Sequence, residues 1–256
     1  MILNVVTLGS GPRVAIMHGL FGSARNFGSI QRALGQRFQV IALDLRNHGD
    51  SPHAPTMTYA EMAADVRETL ADAGALPCAV IGHSMGGKTA MRLALDHPEA
   101  VTRLIVSDIA PVSHPPFFAR YTSAMRAMKL EPGLTRAQAD AALAPSVPNP
   151  RIRAFLLQNL RIGPDPGWRI GLKEIEASLP NLEGWESPDR PPFEGPTLFV
   201  RGEHSDYILP EYWPAIQALF PRAELETVPN AGHWLHAENP NGFLSVVEAF
   251  LAPLTR

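Results

Sequence analysis

Residues 82–86, Gly-His-Ser-Met-Gly, contain the serine that is best placed to act as a nucleophile. The pentapeptide directly follows a short apolar run at 79–81 and directly precedes a helical pattern. A serine on such a sharp strand-to-helix turn is held in a strained backbone conformation with its hydroxyl exposed. The neighbours two residues away on each side crowd together, so both must be glycine. The sequence therefore predicts that Ser84 attacks a carbonyl carbon.

A serine hydroxyl at its ordinary pKa is a weak nucleophile and needs a base beside it. His233 follows the last strand-like segment, 224–228, and precedes the final helix. Enzymes with their serine on this kind of turn carry serine, acid and histidine in that chain order, which His233 satisfies. His236 is expected to pack or cap, and His83 to point off the other side of the turn. His233 is thus the predicted base.

Three carboxylates could orient the base. Asp108 ends the strand-like run at 104–106, and Glu203 and Asp206 lie in the loop after the run at 197–200. Both strand ends belong to one predicted sheet edge and can reach one histidine. The residues favour Asp108 as the acid and leave Asp206 and, less strongly, Glu203 open.

Two backbone amides could stabilise an oxyanion on the substrate. The Met85 amide lies at a predicted helix N-terminus, where free N–H groups favour negative charge. A tetrahedral intermediate needs a second donor. The turn at 18–22, His-Gly-Leu-Phe-Gly, follows a strand-like run, and its Leu20 amide is the predicted second donor. His18 is expected to be structural.

The elements that must position these groups alternate between short apolar runs and helical patterns. The runs lack the in/out alternation of half-exposed strands, which indicates strands buried on both faces of a parallel sheet. They span 14–17, 40–43, 79–81, 104–106 and 197–200, and the main helices are predicted at 27–34, 59–73, 85–97, 210–219 and 241–251. Asp44, Gly82 and Asp108 follow strands directly, at the carboxyl edge where open α/β sheets place their sites.

The alternation stops between Pro111 and Pro192. That stretch is rich in proline, contains no strand-like run, and has helical patterns near 117–130, 135–143, 151–160 and 171–179. We predict an α/β core formed by 1–111 and 192–256, with 112–191 as a helical lid over the carboxyl edge. A helical decoration away from the site is the alternative.

Three motifs together resemble the α/β-hydrolase family, in particular the YbfF-type bacterial esterases and their mitochondrial abhydrolase relatives. They are 44–51 (Asp-Leu-Arg-Asn-His-Gly-Asp-Ser), 82–90 (Gly-His-Ser-Met-Gly-Gly-Lys-Thr-Ala) and 232–238 (Gly-His-Trp-Leu-His-Ala-Glu). The resemblance implies the α/β-hydrolase fold, with a mostly parallel central sheet flanked by helices and a helical lid inserted after the sixth strand. It also implies that the acid follows the sixth strand, which supports Asp108, with Ser205 as a possible hydrogen-bonding helper.

The activity implied by the resemblance is hydrolysis of short to medium acyl esters, including acyl-CoA thioesters, through an acyl-enzyme. Other reactions on the same site stay open: lactone opening, perhydrolysis or carbon–carbon bond hydrolysis. A ligand-binding protein that keeps the fold without turnover is a further alternative. The segment 112–180 carries a net charge of +4, against −7 for the rest of the chain, which suits either an anionic substrate or simply solvated helix faces.

Composition excludes several other classes. The 256 residues carry a net charge of −3, which gives no reason to expect nucleic acid as a partner. A single cysteine, Cys78, allows no intramolecular disulfide and is expected to be a buried hydrophobe. We expect no signal peptide, no membrane span, no metal site and no nucleotide cofactor. A cytoplasmic enzyme acting on a small molecule is expected, and the oligomeric state is left open.

Overall fold

Seven strands form the central sheet of this computed structural model, which describes residues 1–255. The strands of the described chain are β1 (Val5–Leu8), β2 (Arg13–Met17), β3 (Gln39–Leu43), β4 (Cys78–His83), β5 (Val101–Ser107), β6 (Leu160–Arg161), β7 (Gly167–Trp168), β8 (Thr197–Gly202) and β9 (Ala223–Val228). The central sheet has the order β1-β3-β2-β4-β5-β8-β9. Only β1 is antiparallel to its neighbour, so the predicted mostly parallel sheet is confirmed.

Ten α-helices lie in the described part of the chain. They are α1 (Gly28–Leu34), α2 (Tyr59–Asp72), α3 (Met85–Asp96), α4 (Ala119–Ala127), α5 (Arg136–Leu143), α6 (Pro150–Leu157), α7 (Leu172–Glu183), α8 (Trp213–Leu219), α9 (Leu235–Glu238) and α10 (Pro240–Leu251). Helix α2 begins at a capping box, in which the Thr58 hydroxyl accepts from Glu61 N–H at 3.2 Å and the Glu61 carboxylate accepts from Thr58 N–H at 2.8 Å. Such reciprocal bonds satisfy amides that the first helical turn leaves free.

The core lies on both faces of the sheet, and this explains the continuous apolar runs. In β2, Ala15 and Met17 belong to the cluster that contains the buried side chains of α2 and α3. Val14 and Ile16 belong to the opposite cluster, with those of α1 and α10. Because successive side chains of a strand point to opposite faces, a strand covered on both faces needs apolar residues at every position.

Residues 112–191 contain helices α4 to α7, close to the four helical patterns in the sequence. The expectation that this segment holds no strand is wrong, because β6 and β7 pair antiparallel, with Leu160 opposite Trp168. Each of these strands has only two residues, too few for a recognisable pattern. Counted along this chain, the segment follows β5, the fifth strand, which is one strand earlier than the resemblance implies.

Candidate active site

Ser84 stands between β4 and α3 with a φ of 52°, in the region that disfavours residues with a side chain. The turn is closed by its two glycines. A Cβ on Gly82 would lie 2.1 Å from the Gly86 carbonyl oxygen, and a Cβ on Gly86 would lie 2.6 Å from the His18 carbonyl oxygen. Any residue larger than glycine at either position would therefore force the turn open, and Ser84 depends on both for its position at the carboxyl edge.

Asp108 follows β5 directly, is fully buried, and also has a positive φ, 53°. Its Oδ2 lies 2.7 Å from Nδ1 of His233. The Ser205 hydroxyl donates a short hydrogen bond to the same oxygen, and the Gly202 N–H donates to Oδ1 at 3.0 Å. Because a carboxylate only accepts, Nδ1 of His233 carries the proton of this bond, which leaves Nε2 free to accept one.

The two other candidate acids lie elsewhere. Asp206 is exposed, and the Glu203 carboxylate accepts from Asn230 N–H at 2.7 Å. Of the three carboxylates considered from the sequence, the structure brings only Asp108 to the imidazole of His233. The left-handed turn at Asp108 carries the carboxylate over the end of β8, next to the loop that contains Ser205.

Two rings hold the imidazole of His233 from its sides. The Tyr207 ring stacks on it with centroids 4.0 Å apart, and the His83 ring lies 4.8 Å away. Nε2 of His83 also donates to the backbone carbonyl of His233 at 2.8 Å. Burial and the neighbouring His236 lower the pKa of His83, so its ring is neutral. His83 thus supports the loop of His233, a role that the sequence did not suggest.

Ser84 and His233, both within the described chain, are not hydrogen-bonded to each other in this structure. They line the same cavity, of about 280 Å³. Catalytic hydrogen bonds are often long in unliganded enzymes and tighten when substrate binds. The geometry brings the Ser84 hydroxyl, the His233 imidazole and the Asp108 carboxylate to one end of the sheet.

The turn that carries Leu20 rests on two buried histidines. Nε2 of His18 accepts from Leu45 N–H at 3.0 Å, and Nε2 of His48 accepts from Phe21 N–H at 3.1 Å. Burial, followed by the nearby His18, lowers the pKa of His48 to about 3, and burial likewise lowers the pKa of His18. Both rings are therefore neutral and act as fixed acceptors. Met85 is the first residue of α3, so its N–H has no acceptor within the helix.

His48 is a positioning residue to which the sequence assigned no role at the site. It is completely buried. The same turn contains Asp44, whose carboxylate accepts from Ala24 N–H at 2.7 Å and from Asp50 N–H at 2.9 Å. Through these contacts the turn at 44–50 anchors the loop that contains Ala24. A histidine in a Gly-containing polar turn directly after a strand was the available signal.

The cavity beside Ser84 is walled mainly by aromatic and aliphatic side chains. Residues 112–191 contribute Phe117, Phe118, Tyr121, Ile152, Phe155 and Leu156. Within residues 1–255, no group of three or more His, Cys, Asp or Glu is arranged to hold a metal ion. The described helices are all too short or too polar to span a membrane.

Comparison with known proteins agrees with this architecture. A family model described as the alpha/beta hydrolase fold matches residues 12–240. The chain is 42% identical to the sn-1-specific diacylglycerol lipase ABHD11 of Mus musculus, over 94% of this chain and 81% of the relative. It is 36% identical to esterase YbfF of Escherichia coli, over 93% of this chain and 92% of the relative.

A solved structure described as a marine microorganism esterase superimposes with a TM-score of 0.95 at 37% identity. The match covers 98% of this chain and 99% of that one. The matched family model, the sequence identities, their coverage and the TM-score all agree. This chain belongs to the α/β-hydrolase fold family.

Proposed function

We propose that this ester-hydrolysing α/β hydrolase works through Ser84, His233 and Asp108, forming an acyl-enzyme on the serine. The observation that carries the assignment is the 2.7 Å contact between His233 Nδ1 and the buried Asp108 carboxylate, at the sheet edge that also holds Ser84. His233 takes the Ser84 proton as the hydroxyl attacks the ester carbonyl. Asp108 fixes the imidazole tautomer and stabilises the imidazolium that forms.

The amides of Leu20 and Met85 are the proposed donors to the oxyanion. They lie on either side of Ser84, one on the turn fixed by His18 and His48 and the other at the first turn of α3. Fixed amides stabilise the tetrahedral intermediate without reorganising during the reaction. His233 then protonates the leaving alcohol and activates the water that releases the acid. Ser205 acts as a positioning residue, because its hydroxyl donates to Asp108.

Residues 112–191 are the proposed lid. Six of the residues that wall the cavity belong to this segment, which supports a role in substrate selection rather than a decoration elsewhere. The positive charge of this segment gives less support to a second role, the attraction of an anionic thioester substrate. Arg126, Arg153 and Arg169 form ion pairs with Glu176, Asp140 and Asp50, and Glu238 is an acidic residue at the cavity wall. Neutral carboxylic esters are therefore the proposed substrates.

Hydrolysis of p-nitrophenyl esters from acetate upward, compared between wild type and Ser84→Ala, tests the proposal. Loss of the catalytic serine lowers kcat by about 10⁶-fold in a triad that acts as a unit. Ser146→Ala changes an exposed serine of the lid segment and serves as the matched control, with expected activity equal to wild type. Equal hydrolysis by wild type and Ser84→Ala would contradict the assignment, and so would failure of wild type to react with a fluorophosphonate.

A further inference from the structure

Two cavities of unequal size meet at Ser84. The large cavity described above measures about 280 Å³, and a second, smaller one, the inner chamber, measures about 40 Å³. Both are lined by Leu20, Ser84, Phe117, Phe118 and Tyr207, so they open from one point. An ester has two branches, one on each side of the carbonyl carbon that Ser84 attacks. Each cavity can therefore receive one branch.

The position of His233 decides which branch enters which cavity. His233 must hand a proton to the leaving alcohol oxygen, so the alcohol branch lies on the side of its imidazole. His233 lines the large cavity and does not line the inner chamber. The inner chamber is lined by Met85 and Lys88 of α3, which do not line the large cavity, and by Leu20, which lines both. The acyl branch thus points into the inner chamber.

From this geometry we infer that the protein selects esters of short acyl groups with long or bulky apolar alcohols. The inference rests on the proposed function and adds its substrate class. The chamber measures about 40 Å³, and one water needs roughly 10–15 Å³ of such cavity volume. The chamber thus accepts about three water-sized groups beyond the carbonyl carbon, which corresponds to an acyl chain of about four carbons.

The far wall of the inner chamber is fixed by buried hydrogen bonds. The Tyr59 hydroxyl donates to the Leu182 carbonyl at 2.5 Å, and Nζ of Lys88 donates to the Gly184 carbonyl at 2.7 Å. These carbonyls belong to the end of α7, so two core side chains hold the lid helix in place. Because breaking a buried hydrogen bond leaves an unsatisfied polar group, this wall does not yield easily to a longer acyl chain.

The side of the inner chamber formed by Phe117 and Phe118 is also fixed by buried hydrogen bonds. The carboxylate of Glu183 accepts from the N–H groups of Phe117 and Phe118, at 2.6 and 2.8 Å. These two aromatic residues line both cavities. A carboxylate bonded to two amides holds them more firmly than a neutral acceptor would. The small volume is therefore a built feature of the fold.

Two isomeric esters, octyl butanoate and butyl octanoate, test the inference. They contain the same atoms and differ only in which branch is long, so differences in overall hydrophobicity cancel. We expect kcat/KM for octyl butanoate to exceed that for butyl octanoate by at least about tenfold, because overpacking a rigid site is unfavourable. Release of acid is followed by pH-stat below the solubility limit, with Ser84→Ala as the blank.

Two variants assign the preference to its cavity. Leu182→Ala enlarges the inner chamber, and it is expected to raise kcat/KM for butyl octanoate and to narrow the ratio between the isomers. Phe155→Ala is the matched control in the large cavity. It is expected to lower kcat/KM for octyl butanoate and to leave unchanged the preference for butyl butanoate over butyl octanoate. The inference would be overturned if the preference for butyl butanoate over butyl octanoate changed in Phe155→Ala and stayed the same in Leu182→Ala.

The wild-type comparison stands even where a variant fails to fold. Hydrolysis of both isomers, with butyl octanoate equal or faster, would overturn the acyl assignment and leave the serine esterase intact. Hydrolysis of neither isomer by a protein that still cleaves p-nitrophenyl esters would overturn the inference alone, whereas a folded protein that cleaves neither isomer nor any p-nitrophenyl ester would overturn the proposed function as well.

Discussion

The sheet edge that carries Ser84 and the helices that cover it are built from different interactions. At the edge, directional hydrogen bonds fix the polar side chains, as in the Asp108–His233 pair and the acceptor His48. The covering segment meets the cavity mainly with apolar side chains such as Tyr121 and Phe155. Directional bonds set where a proton or a charge develops, whereas apolar walls set only size and shape.

This contrast separates two kinds of experimental effect. A change at the edge alters the geometry of the reacting groups and should appear in kcat. A change in the covering segment should appear in substrate choice or in a modest loss of stability. The two regions are tied by a few polar contacts, among them the Asn159 side chain, which donates to the Phe21 carbonyl at 2.8 Å.

After the loss of Ser84 itself, the largest effect is expected at the proposed acid, Asp108. Asp108→Asn keeps the size of the side chain and removes the carboxylate that selects the tautomer of His233. We expect kcat to fall by about 10⁴-fold, as happens when a triad aspartate becomes asparagine. Steady-state hydrolysis of a short-chain p-nitrophenyl ester measures the loss.

Asp206→Asn is the matched control for that experiment. Asp206 is exposed and lies one residue after Ser205, so its change should leave kcat within about twofold of wild type. A collapse of kcat in Asp206→Asn, with Asp108→Asn still active, would reverse the assignment of the acid.

The second effect concerns the stability of the edge in acid. Burial lowers the pKa of His48 from 6.5 to about 3, so below pH 6.5 only the unfolded chain takes up a proton at this residue. Folding stability contributed by neutral His48 is complete above pH 6.5 and is lost progressively as the pH falls towards 3. Between pH 7 and 5, wild type should lose about 2 kcal/mol more than His48→Gln.

Urea unfolding at pH 7 and pH 5 measures this difference. Glutamine keeps an acceptor for Phe21 N–H and does not titrate, so the comparison isolates the proton. Equal losses in the two proteins would show that His48 takes up its proton without unfolding.

The smallest effect is expected where the covering segment meets the edge. Asn159→Ala removes the buried bond to the Phe21 carbonyl and should lower the free energy of unfolding by about 1–2 kcal/mol. Arg161→Ala, which breaks an exposed pair with Asp165, should change it by less than about 0.5 kcal/mol. Denaturant unfolding of wild type, Asn159→Ala and Arg161→Ala measures both changes. A larger loss of unfolding free energy in Arg161→Ala than in Asn159→Ala would contradict the stabilising role of the Asn159 bond.

The edge was more predictable from sequence than the segment that covers it. The glycines around Ser84 and the chain order of Ser84 and His233 are local signals, because a strained turn permits few residue types. The choice of Asp108 over Asp206 depended on the left-handed turn after β5, which no residue pattern announces. The burial of His48 and the stacking of Tyr207 depend on contacts across the fold and were not foreseen.

In the covering segment, the helical patterns indicated where helices lie and gave no account of the cavities. Hairpin β6–β7 was missed because strands of two residues leave no periodicity. The strand β1 was not predicted either, since its residues are mostly exposed and do not alternate. The docking angles of α4, α6 and α7 decide which of their side chains face Ser84. The sequence of a single helix does not determine its docking angle.

The positive φ of Ser84 has a consequence for how this protein responds to selection. A backbone held at such angles costs on the order of 1–3 kcal/mol, and a glycine at the same place relieves most of it. Laboratory selection for heat resistance alone would therefore favour Ser84→Gly and yield a more stable protein without esterase activity. Only a screen that scores turnover keeps the serine, so activity and robustness compete at this single residue.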